Sequence, residues 1–256
     1  MFARSCSVLC CVMALSACGD GQNDFGRPQG KRAQPVQLVL LEDGRPAPEV
    51  LAEEQVVYRG NGEEPETLDP HLAQGVPATR ILRDLFEGLT AESAAGDLVP
   101  GAALRWNISR DARTYTFYLR RDLVWSNGDP LRADDFVYGL QRAIDPETNS
   151  SAARTLLPIL NAREVLAGEL PVEELGISLL DEFTMQITLT GPTPYFLGLL
   201  ASPVAFPVHK GNVEALGDQF SKPGNLISNG AFVLTEWTPR VSIVLEKNPR
   251  YRQAET

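Results

Sequence analysis

The sequence predicts an α/β fold with mixed sheets, because strand-like and helix-like segments occur in turn along the chain without a strict βαβ rhythm. Residues 115–119 alternate apolar and polar side chains, which is the two-residue period of a half-buried strand. Residues 133–144 repeat their apolar side chains at a 3.6-residue period, which indicates an amphipathic helix. With 43% apolar and 22% charged residues among 256, the composition is typical of a globular chain.

The amino terminus has the features of an export signal. Arg4 supplies a positive charge, and the apolar run that follows is far shorter than the ~20 residues of a membrane-spanning helix. The run ends in Leu-Ser-Ala-Cys at 15–18, which resembles the bacterial lipobox. We therefore expect residues 1–17 to be a lipoprotein signal peptide and Cys18 to be lipidated; the alternative is an ordinary signal peptide with an incidental cysteine. Residues 18–54, rich in Gly, Pro and charge, predict a flexible tether.

Further segments predict the other elements in order. The predicted strands are residues 55–59, 177–180, 185–189, 231–237 and 241–247. Besides 133–144, the predicted helices are residues 81–86 and 194–200. A tight turn is predicted at residues 126–129. Asp134 and Asp135 fit the positive amino end of their helix, so we expect capping and not catalysis. The three tryptophans are expected in the core because of their volume; they are Trp106, Trp125 and Trp237.

Composition excludes several classes of function. All four cysteines lie in the first 18 residues, so neither a disulfide core nor a cysteine metal site is expected. The net charge of −10 argues against nucleic acid as a partner. Only His71 and His209 are histidines, and no hydrolase motif surrounds them, so we expect no enzyme, no metal and no cofactor. His71 is expected to be a loop histidine that bonds to the backbone.

A set of short phrases follows in a fixed order from about residue 55 to the end of the sequence. They are NGEEPETLDPH at 61–71, GVP at 75–77, ILRDLFEGL at 81–89, PG at 100–101, YTFYLR at 115–120, WSNG at 125–128, DDFVY at 134–138, PTPYF at 192–196, PGN at 223–225, SNGAF at 228–232 and LEKNP at 245–249. Each phrase alone is weak evidence. Together they resemble the extracellular solute-binding proteins of family 5, of the oligopeptide-binding type.

This resemblance implies a periplasmic-binding-protein-like fold of type II, in which two lobes close like a clamp on a ligand. Residues 55–96 and 209–256 are then expected to form lobe I, and residues 97–208 an inserted subdomain. Members of the family are roughly twice as long, so the second lobe is expected to be missing from this sequence.

The resemblance also implies a binding site. Gln74, Gly75 and Val76 are expected to offer a backbone edge with which an extended peptide pairs as an added strand. Asn229 and Gly230 fall in the family's second cleft-lining segment. For both segments a plain turn remains the alternative, at Gly75 before a proline and at Asn229 between two elements.

The function implied is the substrate-binding component of an ABC importer that captures oligopeptides for transmembrane uptake. Its expected partners are an oligopeptide, an ABC permease complex in the inner membrane, and the membrane itself through lipid on Cys18. We expect a monomer in the cell envelope that faces the periplasm or the extracellular side. The alternatives are another solute of the family (a dipeptide, a murein peptide or a nickel chelate) or a non-functional gene fragment. Without the second lobe we expect weak peptide binding, since roughly 3 to 6 kcal/mol of contacts is lost.

Overall fold

Residues 56–252 are described by a computed structural model, and those from Arg59 onward belong to one compact unit. The predicted signal peptide, Cys18 and the predicted tether lie outside the described residues. In this range the helices are α1 (Gly75–Leu85), α2 (Ala133–Ile144), α3 (Ala162–Leu166), α4 (Phe196–Leu199) and α5 (Lys210–Leu216). The strands are β1 (Thr90–Glu92), β2 (Leu98–Pro100), β3 (Ala103–Ile108), β4 (Thr114–Leu119), β5 (Ile177–Asp181), β6 (Thr184–Thr188), β7 (Phe232–Thr238) and β8 (Ser242–Lys247).

The strands form one four-stranded sheet, in the order β3-β4-β6-β5, and two hairpins, β1-β2 and β7-β8. Every pairing among these strands is antiparallel. In the large sheet Tyr115 lies opposite Ile187 and Phe117 lies opposite Met185, and all four side chains are buried. Because side chains alternate along a strand, the other face of β4 carries Thr116 and stays partly exposed. The strand predicted at 115–119 and the strands predicted from residue 177 onward are confirmed, apart from small shifts at their ends.

Helix α2 covers the same bounds as the sequence predicted. Its apolar face, with Phe136, Leu140 and Ile144 fully buried, lies against β5 and β6. Asp135 accepts a hydrogen bond from the backbone N–H of Arg132 at 2.9 Å. The predicted capping role is therefore confirmed for Asp135, and burial raises the pKa of its carboxyl group.

The prediction of a strand at 55–59 is wrong for residues 56–59, which the structure describes. Residues 56–59 belong to no strand, and Val57 and Tyr58 are 89% and 94% exposed. Val and Tyr favour a pleated, half-buried surface, but a strand also needs a neighbouring strand to accept its hydrogen bonds. No described strand pairs with this segment.

Helix α1 begins six residues before the predicted helix, which started at Ile81. Gly75, Val76 and Pro77 form its first turn. Proline is compatible with this turn because the first N–H groups of a helix have no acceptor within the helix. The prolines and glycines around the turn therefore indicated a loop where the chain already starts a helix.

The tryptophans only partly match the expectation of a core position. Trp125 is 1% exposed, as predicted. Trp106 and Trp237 are half-buried and pack against the core, so the expected core position is met only in part by these two. None of the helices in residues 56–252 combines the length and the apolar character that crossing a bilayer requires.

Candidate ligand-binding site

The predicted binding residues lie at the two ends of α1. Gln74 immediately precedes the helix with an extended backbone, at φ −125° and ψ 154°. At the other end, the N–H of Gly230 donates to the carbonyl oxygen of Leu85 at 2.8 Å. A helix of 11 residues is about 16 Å long, which roughly five residues of extended peptide would span. The structure therefore connects the two predicted segments through one helix but does not bring them into contact.

The amino end of α1 presents backbone donors to the surface. Gln74, Gly75 and Val76 are exposed, and the Gln74 side chain makes no capping bond. The N–H groups of Gly75 and Val76 belong to the first turn, and no acceptor for either lies among residues 56–252. The predicted edge is therefore one extended residue followed by a helical turn, and not a β-strand, because Pro77 favours the start of a helix here.

Gly75 has a conformational reason to be glycine. Its φ is +76°, in the left-handed region that side chains with a Cβ disfavour. This geometry agrees with the turn that the sequence left open at this position, and it leaves the backbone free for a close approach. The contact of a peptide with Gly75 stays a prediction.

A buried polar cluster fixes the loop in front of Gln74. Arg142 of α2 donates to both carboxylate oxygens of Asp69, at 3.0 and 2.7 Å, and to Nδ1 of His71 at 2.8 Å. Nε2 of His71 lies 3.0 Å from the carbonyl oxygen of Phe206. Because a guanidinium can only donate and a carbonyl can only accept, His71 is the neutral tautomer that carries its proton on Nε2.

The environment of His71 keeps it neutral. The side chain is 1% exposed, and burial lowers its pKa to about 4; the Asp69 charge opposes this shift and the Arg142 charge adds to it. The prediction of a loop histidine that bonds to the backbone is confirmed. The sequence did not single out Arg142, which lies 73 positions from Asp69. Together the three residues hold the chain rigidly just before Gln74.

Asn229 and Gly230 have structural roles at the carboxyl end of α1. The Asn229 amide accepts from the N–H of Glu87 at 3.1 Å and donates to its carbonyl oxygen at 2.8 Å. A Cβ on Gly230 would lie 2.4 Å from the carbonyl carbon of Leu85, so only glycine fits. The amide does donate and accept, as expected of the residue type, but toward the protein's own backbone. Their contact with a ligand stays a prediction.

Glu87 is a buried acid that the sequence reasoning did not consider. Its carboxylate accepts hydrogen bonds from the Tyr251 hydroxyl at 2.9 Å and from Arg252, and Glu87 as a whole is 8% exposed. Burial, followed by the Glu87 charge, raises the pKa of Tyr251 to about 12. A cavity of about 160 Å³ adjoins Glu87, and Gly230 lines it. The available signal was an acid among the apolar residues and the glycine at 85–89, where α1 ends.

A second hollow of about 420 Å³ lies beside Trp237. The indole N–H donates to Glu64 at 2.6 Å, and the Lys222 ammonium lies 5.1 Å from the ring centre. None of the predicted site residues lines this hollow. Among residues 56–252 no group of three or more His, Cys, Asp and Glu side chains is placed to hold a metal ion.

Comparison with known proteins identifies the family of this chain. The model of the bacterial extracellular solute-binding proteins, family 5 Middle, matches residues 97–256. The chain therefore belongs to the bacterial extracellular solute-binding proteins of family 5, as its sequence phrases indicated.

Two curated relatives come from Escherichia coli (strain K12). The periplasmic oligopeptide-binding protein OppA is 44% identical over 215 residues, which cover 83% of this chain and 39% of the relative. The periplasmic murein peptide-binding protein MppA is 43% identical over 208 residues, which cover 80% of this chain and 38% of the relative. The chain thus spans about two fifths of the length of the relatives it matches.

A solved structure supports the fold directly. Haemophilus influenzae OppA in complex with the peptide RPPGFSPFR matches with a TM-score of 0.74 and 37% identity, over 76% of this chain and 38% of that chain. The predicted α/β fold of the periplasmic-binding-protein type is confirmed for the part that the chain covers. The division into lobe I and an inserted subdomain stays a prediction.

Proposed function

We propose that this chain belongs to the substrate-binding component of an ABC importer, and that the amino end of α1 contacts the main chain of a bound oligopeptide. The observation that carries the proposal is the pair of N–H groups of Gly75 and Val76, two exposed residues that follow an extended Gln74; neither N–H has an acceptor among residues 56–252. An importer of many peptides has to recognise what all of them share, which is the backbone. Donors on a fixed backbone serve this purpose without reading side chains.

The energetics of this contact are modest. Each N–H that bonds a peptide carbonyl contributes about 0.5 to 1.5 kcal/mol net. The partial positive charge at a helix amino end adds to the attraction for a carbonyl or carboxylate oxygen. The Asp69, His71 and Arg142 cluster keeps the donors in place, so little conformational entropy is lost on binding.

The chemistry of the described residues supports a role in binding and not in catalysis. His71 is neutral and fully engaged. His209 uses Nε2 toward Asp129 at 2.9 Å and Nδ1 toward the N–H of Asn212 at 3.2 Å. Asp135 caps α2. These titratable groups therefore have structural partners, which supports the proposal that the protein is not an enzyme.

The proposed location is the cell envelope, where lipid on Cys18 anchors the chain and the folded part faces the periplasm or the extracellular side. Support comes from the lipobox-like sequence and from relatives that are periplasmic by name. The proposed partners are a permease complex of the ABC type and an oligopeptide. A murein peptide is the alternative ligand, because one of the relatives at 43% identity is a murein peptide-binding protein.

Replacing one backbone donor tests the proposal. Val76→Pro removes one N–H in a helical turn that tolerates proline, while Val76→Ala removes the side chain and keeps the N–H. Binding of RPPGFSPFR and of a murein tripeptide is followed by amide chemical shifts, which detect weak binding at millimolar ligand. We expect the dissociation constant to rise about 2- to 10-fold for Val76→Pro relative to Val76→Ala.

Thermal unfolding of both variants is measured in parallel, so that a loss of fold is not mistaken for a loss of binding. The chemical shifts of Gly75 and Val76 in the unmodified protein are expected to move first and furthest as peptide is added. Equal affinity in the two variants, or peptide-induced shifts that avoid the amino end of α1, would contradict the proposal. A response to the murein tripeptide alone would favour the alternative ligand.

A further inference from the structure

Glu87 combines a buried carboxylate with a rigidly held backbone. Its side chain is 9% exposed, and it lies directly beyond the end of α1. The Asn229 amide bonds both the N–H and the carbonyl oxygen of Glu87. The acceptor is therefore fixed in position by contacts that do not involve its carboxylate.

The group that neutralises Glu87 is a guanidinium. Arg252 donates from Nη2 to Oε1 at 2.6 Å and from Nε to Oε2 at 3.3 Å, and the Tyr251 hydroxyl also donates to Oε1. This two-point arrangement is the geometry with which a carboxylate distinguishes a guanidinium from an ammonium ion. Glu87 is thus shaped for a planar, forked cation.

Among the described residues, fewer backbone contacts hold the donor than hold the acceptor. The chain is anchored at Asn248, whose N–H bonds the carbonyl oxygen of Ala231 at 2.8 Å and whose side chain bonds that of Gly230. Beyond this anchor, the N–H of Tyr251 bonds only within its own turn, and the main chain of Arg252 bonds no other described residue. Within residues 56–252, the bonds that hold Arg252 at Glu87 are those of its side chain.

Space for another occupant lies next to the pair. The cavity of about 160 Å³ is lined by Glu87, Tyr251, Phe86 and Ala231, and also by Arg83, whose charge is paired with Glu92 at 2.9 Å. This volume equals roughly five water molecules at their share of the liquid, which suffices for a guanidinium with a short alkyl chain. Glu87 borders this cavity, so an external guanidinium that displaced Arg252 would have room beside the carboxylate.

We propose that Glu87 is a recognition site for guanidinium groups, which Arg252 occupies in this structure as an internal ligand. The external ligand is a compound that carries a guanidinium, such as an arginine side chain of a peptide. The site lies at the opposite end of α1 from Gln74, so it stands or fails independently of the proposed peptide contact there.

Removing the internal ligand tests this proposal. Arg252→Ala is titrated with methylguanidinium, with methylurea as a neutral molecule of the same shape, at matched ionic strength, and the melting temperature is recorded. We expect methylguanidinium to stabilise Arg252→Ala at concentrations at least tenfold below those that affect the unmodified protein. Methylurea should have no such effect, and the double variant Glu87→Gln/Arg252→Ala should not respond to methylguanidinium.

Two results overturn the proposal. One is an equal response of Arg252→Ala and the double variant, which would make the pair a purely structural ion pair. The other applies if Arg252→Ala does not fold without an added compound. Its refolding yield is then compared in methylguanidinium and in methylurea, and equal yields reject the site.

Discussion

Arg142 and Asp69 form a two-point ion pair between α2 and the loop that precedes α1, with donor to acceptor distances of 3.0 and 2.7 Å. The side chains are 16% and 4% exposed, so both charges lie largely out of water. The same guanidinium also donates to His71. One cation of α2 thus fixes the segment that carries the proposed peptide contact.

Removing this cation should destabilise the fold strongly. Arg142→Ala leaves the Asp69 carboxylate buried without its partner, and we expect a loss of about 3 to 5 kcal/mol in the free energy of unfolding. Urea denaturation measures the loss. Arg113→Ala, at an exposed position just before β4, is the matched control and should cost less. A loss below about 1 kcal/mol for Arg142→Ala would show that the pair contributes little.

The lowered pKa of His71 leads us to expect that the stability of the fold depends on pH. Its pKa is lowered to about 4 in the folded state, against about 6.5 when unfolded, so the unfolded chain binds the proton first as pH falls. The contribution of neutral His71 is complete above pH ~6.5 and is lost progressively between about pH 6.5 and 4. The loss amounts to about 3 kcal/mol.

The measurement compares two unfolding curves across this range. The unmodified protein and His71→Gln are unfolded in urea at several pH values, and the difference between their free energies is plotted. Other groups that titrate in both proteins cancel in the difference. We expect the difference to change across about pH 6.5 to 4, and a flat difference would argue against a buried neutral histidine.

Gly230 should not tolerate a side chain. A Cβ there would lie 2.4 Å from the Leu85 carbonyl carbon, which is backbone and cannot rotate away. We expect Gly230→Ala to cost about 2 to 4 kcal/mol, with β7 shifted from α1. Gly191→Ala is the matched control because no atom lies within 4 Å of its Cβ, and it should change stability by less than about 0.5 kcal/mol. Similar melting temperatures for the two variants would show that the chain before β7 does not approach α1 this closely.

Local periodicity predicted those elements whose burial follows their own sequence. Helix α2 and the strands β4 and β6 were predictable because each presents one apolar face at the period of its own structure. The strands β1 and β2 were missed, since three residues each are too short to show a period. The segment 56–59 had the right composition for a strand but finds no partner among the described residues.

The candidate site divides in the same way. Gln74, Gly75 and Val76 were identified through resemblance, and the structure places them on the surface, but as one extended residue followed by the start of a helix. For Asn229, the sequence predicted a side-chain amide that both donates and accepts hydrogen bonds, as the chemistry of asparagine allows. Its hydrogen-bond partner is the backbone of Glu87, 142 positions away in the sequence. The local sequence pattern around Asn229 therefore could not predict this contact.

The sequence by itself determined the family, the α/β class and the elements with a clear apolar period, because these depend on residue order over a few turns. Only the tertiary structure decided which charges meet. Asp69 pairs with Arg142 across 73 positions and Glu87 with Arg252 across 165. The reason is that a buried charge is stable only beside a partner that chain folding, and not sequence spacing, brings within hydrogen-bonding distance.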